Sequence, residues 1–263
     1  MFTAKTYLLA SSLEEAYDAL QKNKTNTLVA GCCWLKMTRK RIWTAVDISR
    51  LGLDSIVPDG DTLQIGAMAS LHSLETDPAV KGFAGGILSE AVRRIVGVQF
   101  RNCATVGGCV WMRAGFSDLL TALLALDTTV CLYHAGQMPL DEFLTSPVKK
   151  DILTHIIVRG GQRRAAYVSM RLTETDFPVL TAAVSLLGED WRVVLGARPG
   201  LAARCERAEN ALGTGDRDAA IQAVRDDLRY GGNLRASEAY RRQVAGVLLA
   251  RAVEKLAGEG AAE

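Results

Sequence analysis

The chain has 263 residues, of which 49% are hydrophobic and 23% charged, with a net charge of +2. That length suits one large domain or two modest ones, and that composition suits a soluble chain with a real core. A small charge spread without a stripe excludes a nucleic-acid face. No run reaches the roughly 18–20 uninterrupted apolar residues of a membrane-spanning helix.

Met1 through Ser12 superficially resembles a signal peptide, but its apolar run is too short and Glu14 and Glu15 follow at once. The protein is therefore expected in the cytoplasm. Ser12-Leu13-Glu14-Glu15 reads as an N-cap opening an amphipathic helix through Leu20. Thr27 to Ala30 is a short buried strand, Trp43 to Ile48 a second, and Thr62 to Ala67 a third behind the turn Pro58-Asp59-Gly60-Asp61. A helix starts at Ser70 and runs to about Thr76. A longer one spans Gly86 to Val96, with Ile87, Leu88, Ala91, Val92 and Ile95 on one face. Ser117-Asp118 caps the apolar helix Leu119 to Leu126, and the β-branched run Thr128 to Tyr133 is a strand.

A linker near Thr145 to Lys150 leads to a strand, Ile152 to Val158, and the stretch Arg159 to Arg164 marks a domain boundary. Beyond it Ala165 to Arg171, Val179 to Leu187 and Trp191 to Ala197 form an antiparallel meander, the last two joined by the turn Gly188-Glu189-Asp190. Helices follow over Arg204 to Leu212, Ala219 to Arg225 and Ser237 to Leu256. In the last of these, Tyr240, Val244, Val247, Leu248 and Val253 fall near helical spacing, and the tail Ala257 to Glu263 is expected to fray. The fold class is thus α+β, divided into residues 1–160 and 161–263.

Six cysteines (32, 33, 103, 109, 131 and 205) contain no C-x-x-C pair. Neither a disulfide framework nor a zinc or iron–sulfur site is expected in this chain. His72, His134 and His155 are scattered and read as surface or satisfied polar residues. The basic run Lys36, Arg39, Lys40 and Arg41 reads as a solvated loop, or as a neutralising neighbour of a bound pyrophosphate or acidic partner.

Two glycine-bearing turns carry the chemistry. The first is Val29-Ala30-Gly31-Cys32-Cys33-Trp34-Leu35. The second is Thr105-Val106-Gly107-Gly108-Cys109, preceded by Arg101-Asn102-Cys103-Ala104 and followed by Ser117-Asp118. Such turns offer runs of backbone N–H groups, and glycine lets a phosphate approach the main chain. Either turn alone is most simply a tight turn. Thr105 is either a strand residue or a hydroxyl donor to phosphate. Asp118 is a helix-cap neighbour, an acceptor for ribose hydroxyls, or both.

Val46-Asp47-Ile48-Ser49, Leu63 to Leu71, the Arg-Asn-x-x-Thr-Val-Gly-Gly block and Asn233 to Arg242 stand in the order and spacing of a known family. The chain resembles the FAD-binding subunit of the molybdenum hydroxylases, the group of xanthine dehydrogenase and aerobic carbon monoxide dehydrogenase. That resemblance implies a two-lobed FAD-binding domain of the p-cresol methylhydroxylase type, followed by a smaller antiparallel-sheet-plus-helix domain. It also implies FAD on the two turns, its ring reaching toward the C-terminal domain, and partners carrying [2Fe-2S] clusters and a molybdopterin cofactor. Relatives place Gly-Thr or Gly-Ser where this chain has Cys32-Cys33, Asn or Asp at Cys109, and a lysine near Tyr167-Val168-Ser169. The bland reading of the cysteines is as small fillers.

The role so implied is an oxidoreductase subunit moving electrons from iron–sulfur clusters through flavin to an acceptor, with no catalytic residue of its own. The alternatives are an FAD-free assembly subunit, suggested by Cys32-Cys33, and a free-standing flavin oxidoreductase, for which no base stands out. A nucleotide-binding regulator lacks a Walker A pattern.

Overall fold

The Ser12 hydroxyl accepts from the Glu15 N–H at 3.1 Å and starts the first helix where the sequence predicts. The structure, a computed structural model, describes residues 1–259. Its N-terminal lobe holds β1 (Thr3–Leu9), α1 (Leu13–Lys22), β2 (Thr27–Val29) and β3 (Arg41–Asp47). These strands form a parallel sheet in the order β1-β3-β2. α1 buries Ala16, Ala19 and Leu20 against Val46 and Ile48. β1 was not read from sequence: five of its seven residues are exposed, so it carries no alternating apolar signal.

The second lobe contains the hairpin β4 (Ile56–Asp59) and β5 (Thr62–Gly66), then α2 (Leu71–Thr76), α3 (Pro78–Gly82), α4 (Ile87–Val92), α5 (Val98–Cys103), α6 (Val106–Trp111) and α7 (Asp118–Leu124). It closes with β6 (Asp127–Leu132), β7 (Gly136–Pro139), α8 (Leu140–Thr145) and β8 (Leu153–Arg159). An antiparallel sheet runs β4-β5-β8-β6-β7. Several predictions need correction here. The helix expected over Gly86 to Val96 ends at Val92, and Val96 turns to a left-handed φ of 52°. The block around Gly107 and Gly108 is helical rather than an open loop. Part of the expected linker belongs to α8. These helices have five to seven residues, too few for an apolar period to declare itself.

The C-terminal part comprises β9 (Arg164–Met170), β10 (Leu180–Leu187), β11 (Asp190–Gly196), β12 (Ala203–Arg204), α9 (Glu206–Gly213), α10 (Arg217–Asp226) and α11 (Glu238–Glu259). Its antiparallel sheet runs β12-β11-β10-β9. α9, α10 and α11 cover one face and α7 with α4 the other. Double coverage is why Leu180 to Ser185 are all buried instead of alternating. The predicted hairpin turn holds, with Gly188 at a φ of 59°. No helix among the described residues is long and apolar enough to cross a membrane.

α11 faces the core with Arg241, Ala245, Leu248, Leu249, Ala252 and Leu256, whereas Tyr240 and Val247, expected on that face, are exposed. The helix runs through Glu259. The rest of the tail expected to fray, residues 260–263, lies outside the described residues. Arg241 is 1% exposed and has no carboxylate partner among them. Instead it donates to the carbonyls of Val179 (2.8 Å), Gly231 (2.6 Å) and Ala236 (2.7 Å) and to Asn233 Oδ1 (2.7 Å). Removing it leaves the buried Val179 carbonyl and the half-buried Gly231 carbonyl without this donor, while Ala236 and Asn233 keep a second one from Asn233 N–H and Arg235 N–H. Arg241→Ala should lower the unfolding free energy by about 1–3 kcal/mol in urea titration, and an unchanged unfolding midpoint would refute this role for the side chain.

Candidate functional site

β2 ends at Val29, and the chain turns away through Ala30 and Gly31 into a short 3₁₀ turn at Leu35–Met37. Inside this turn Lys36, Met37 and Thr38 donate to the carbonyls of Cys32, Trp34 and Leu35, each at 3.0 Å. The N–H groups of Gly31, Cys32, Cys33, Trp34 and Leu35 have no acceptor among the described residues. Five consecutive unclaimed amides on a partly exposed turn are main-chain donors left for a ligand or solvent, the backbone chemistry that binds phosphate oxygens. Cys32 lies at a φ of 54°. The position that is glycine in relatives therefore does require the left-handed region, and here an L-residue adopts it at some strain.

The second turn is built differently. Thr105 caps α6, its hydroxyl accepting from the Gly108 N–H at 3.2 Å. Val106 N–H donates to Ala69 (2.9 Å), Gly107 N–H to Ala67 (2.8 Å) and Cys109 N–H to Thr105 (3.0 Å). The first four amides of α6 are thus all engaged internally. Gly107 is glycine because a Cβ there would lie 2.6 Å from the Ala67 Cβ and 2.8 Å from its carbonyl oxygen. Gly108 is exposed, and a Cβ there would lie 3.0 Å from the Thr105 hydroxyl that caps the helix.

The two turns touch through backbone. A Cβ on Gly31 would overlap the carbonyl oxygen of Cys103 at the end of α5. Cys33 reaches the Phe100 carbonyl with its thiol at 3.9 Å, and Cys33 and Cys109 pack against the main core. Burial raises the pKa of Cys32 and Cys33 and pushes that of Cys109 up to about 12. All three are neutral thiols near pH 7, the state of a filler rather than of a nucleophile. Arg101 is buried and grips Glu75 with two bonds, Nε to Oε2 at 2.8 Å and Nη2 to Oε1 at 3.2 Å. Lys36, Arg39, Lys40 and Arg41 are all exposed.

Ser117 caps α7 by accepting from the Leu120 N–H at 3.2 Å. The neighbouring Asp118 is buried, and its Oδ1 accepts from both the Tyr167 hydroxyl and Arg171 Nη2. Tyr167 and Arg171 were not identified from sequence; they lie about fifty residues downstream, where no spacing rule links them to Asp118. The Asp118 carboxyl is raised to about 6, because burial outweighs the attraction of Arg171 and the two hydrogen bonds.

Its ordinary value is 3.8, so between these two values the folded protein holds a proton that the unfolded chain has released. The stability contributed by Asp118 is complete below about pH 3.8 and is lost as pH rises through about 6. Asp118→Asn should remove this component. Whatever its overall offset, the variant's melting temperature should fall less than the wild type's across that window. Parallel melting curves against pH would contradict the shift.

The profile of the family described as the FAD binding domain in molybdopterin dehydrogenase matches residues 2–159, and that of the CO dehydrogenase flavoprotein C-terminal domain matches residues 165–256. The chain is 31% identical to the Escherichia coli (strain K12) protein YgfM over 81% of this chain and 79% of that one. It is 27% identical to the glyceraldehyde dehydrogenase medium chain of Sulfolobus acidocaldarius, over 96% of this chain and 98% of the relative. In fold it superposes on a chain of carbon monoxide dehydrogenase from Hydrogenophaga pseudoflava with a TM-score of 0.87 and 24% identity, covering 96% of each. The unclaimed amides of Gly31 to Leu35 fit the phosphate-rich cofactor that this family binds. The chain belongs to the FAD-binding subunits of the molybdenum hydroxylase family, and is an oxidoreductase subunit whose cofactor is FAD.

Proposed function

We propose that this chain is the electron outlet of a multi-subunit molybdopterin dehydrogenase, with FAD held by its pyrophosphate on the amides of Gly31, Cys32, Cys33, Trp34 and Leu35. The observation that carries this is the run of five donors without acceptors. In this reading residues 1–160 form the cofactor domain and residues 161–263 close it from the other side. A subunit with [2Fe-2S] clusters supplies electrons, a molybdopterin subunit oxidises the substrate, and the assembly works in the cytoplasm. FAD supplies one-electron uptake and two-electron release when bound. The residues of this chain bind, orient and shield it.

Val29 and Ala30 bring the strand end to the phosphates. Gly31 allows the turn to sit against α5. Thr105, Val106, Gly107, Gly108 and Cys109 brace the other side, where the absence of a side chain on Gly108 leaves room for close approach. Ser117 and Asp118 fix the start of α7. Asp118 is shared with Tyr167 and Arg171, so any hydroxyl it accepts joins that buried network.

The cofactor is held non-covalently, since none of the three histidines adjoins either turn in sequence. Acid precipitation of the native complex should release all of its flavin, and a colourless, fully assembled complex would favour the FAD-free assembly role that Cys32-Cys33 suggests. Gly31→Ala should lose most FAD while Cys109→Ser retains it, because only the first forces the turns apart; equal flavin content in the two purified variants would reject this cradle. In stopped flow, the complex's substrate should reduce the flavin rapidly in the reconstituted complex and not in the isolated chain. Rapid reduction of the isolated chain would replace this role with that of a free-standing oxidoreductase.

A further inference from the structure

The sheet order β1-β3-β2 puts β2, which runs into the amide turn, at one edge and β1 at the other. β1 therefore pairs on one side only, with β3, and the N–H and C=O groups of its other side meet no strand among the described residues. Thr3 N–H donates to the Lys40 carbonyl at 3.0 Å, so by alternation the amides of Ala4 and Thr6 point outward. Thr3 through Tyr7 are all exposed, because the cluster under α1 reaches β1 only at Leu8. An open strand edge is a template for another strand, and natural sheets commonly block it.

The side chains around this edge are aromatic and basic. Alternation and register put Lys5 and Tyr7 of β1 on the same face as Trp43 and Asp47 of β3. The Lys5 ammonium lies 3.8 Å over the Trp43 ring, and the Tyr7 hydroxyl donates to Asp47 Oδ2 at 2.7 Å. Both rings are thus held, yet Tyr7 is 62% exposed and Trp43 48%. Arg41 stands opposite Thr3, and Arg39 and Lys40 precede it, all three exposed. None of Lys5, Arg39, Lys40 and Arg41 has a carboxylate partner among the described residues. Asp47, the carboxylate on that face of the two strands, is engaged by Tyr7 and by the Ser49 N–H at 2.8 Å.

We infer that the open edge of β1 is a docking site for an acidic extended segment of another protein, which adds a strand beside β1 and sets its carboxylates against Lys5, Lys40 and Arg41. The outward N–H and C=O groups favour a peptide over other polyanions, since neither a phosphodiester backbone nor a lipid headgroup offers alternating donors and acceptors. The unpaired positive charge favours an acidic segment, and it disfavours a second copy of this chain, whose edge carries the same charge. Trp43 and Tyr7 are of the residue types that anchor interfaces. A lysine on an edge strand commonly serves to prevent pairing. Lys5 instead lies over Trp43 and leaves the edge open, so it sorts incoming strands by charge. β3 separates this edge from the amide turn, so a strand docked here leaves that turn free.

The test titrates the full-length chain at low salt with a ten-residue peptide alternating Glu and Val, and with its Lys-Val counterpart. The Glu-Val peptide should slow hydrogen exchange at Ala4 and Thr6 severalfold without releasing flavin, and the Lys-Val peptide should not. Ala4→Pro removes an outward donor at a position where an edge strand tolerates proline, and should weaken Glu-Val binding about tenfold. Lys5→Glu leaves the strand intact and should move the preference toward the Lys-Val peptide. Absence of Glu-Val binding to the wild type, or equal affinity for the two peptides, would overturn the inference. Protection of Ala4 and Thr6 in a concentration-dependent dimer without peptide would overturn it by giving the edge to a second copy. Binding of a mixed-sequence DNA duplex in place of the peptide would overturn it by giving the patch to a polyanion of another class.

Discussion

Backbone meeting backbone at Gly31 is the contact on which the site depends. A single Cβ there would occupy the place of the Cys103 carbonyl oxygen. The N-terminal lobe can reach α5 only because the side chain is missing. Gly107 repeats the device one layer inward, where α6 presses on Ala67, and Gly66 repeats it against the Leu53 carbonyl. Three glycines thus set the spacing of segments that are far apart in sequence. Their cause is packing density rather than flexibility, since none of the three has a left-handed φ.

That packing decides which amides are left for a ligand. On the α6 side every donor of the first turn is taken, by Ala67, Ala69 and Thr105. On the β2 side a short 3₁₀ turn consumes carbonyls but leaves five N–H groups pointing nowhere within the described protein. Unsatisfied donors on a half-buried turn cost free energy unless water or a ligand takes them. The two glycine turns therefore have unequal parts: one supplies the donors, the other supplies the wall.

The strands were largely legible in the sequence because their apolar runs and turn residues agree, as at Gly188 between β10 and β11. The family motifs were legible because they lie in contiguous blocks. Less legible was anything that depends on distant residues. Arg241 reads as a surface charge on a helix until the carbonyls of Val179, Gly231 and Ala236 converge on it. Asp118 reads as a cap neighbour until Tyr167 and Arg171 arrive from another sheet. Gly107 reads as an open loop because a sequence does not reveal that Ala67 stands behind it. Val96 in a left-handed conformation breaks a helix that periodicity alone would continue.

Cys32 and Cys33 show why departure from a family's usual residues need not remove its chemistry. A phosphate cradle is made of main-chain N–H groups, and those depend on φ and ψ rather than on the side chain, provided the backbone can take the required shape. Cys32 takes it, at a φ of 54° and with some strain. Its thiol packs toward Val29, Ile42 and Ala45, while that of Cys33 turns to the Phe100 carbonyl. Both side chains are directed into protein, and burial keeps both protonated. What is given up is the hydroxyl donor that a threonine or serine would add. What remains is the run of main-chain N–H groups, which none of these side-chain changes removes.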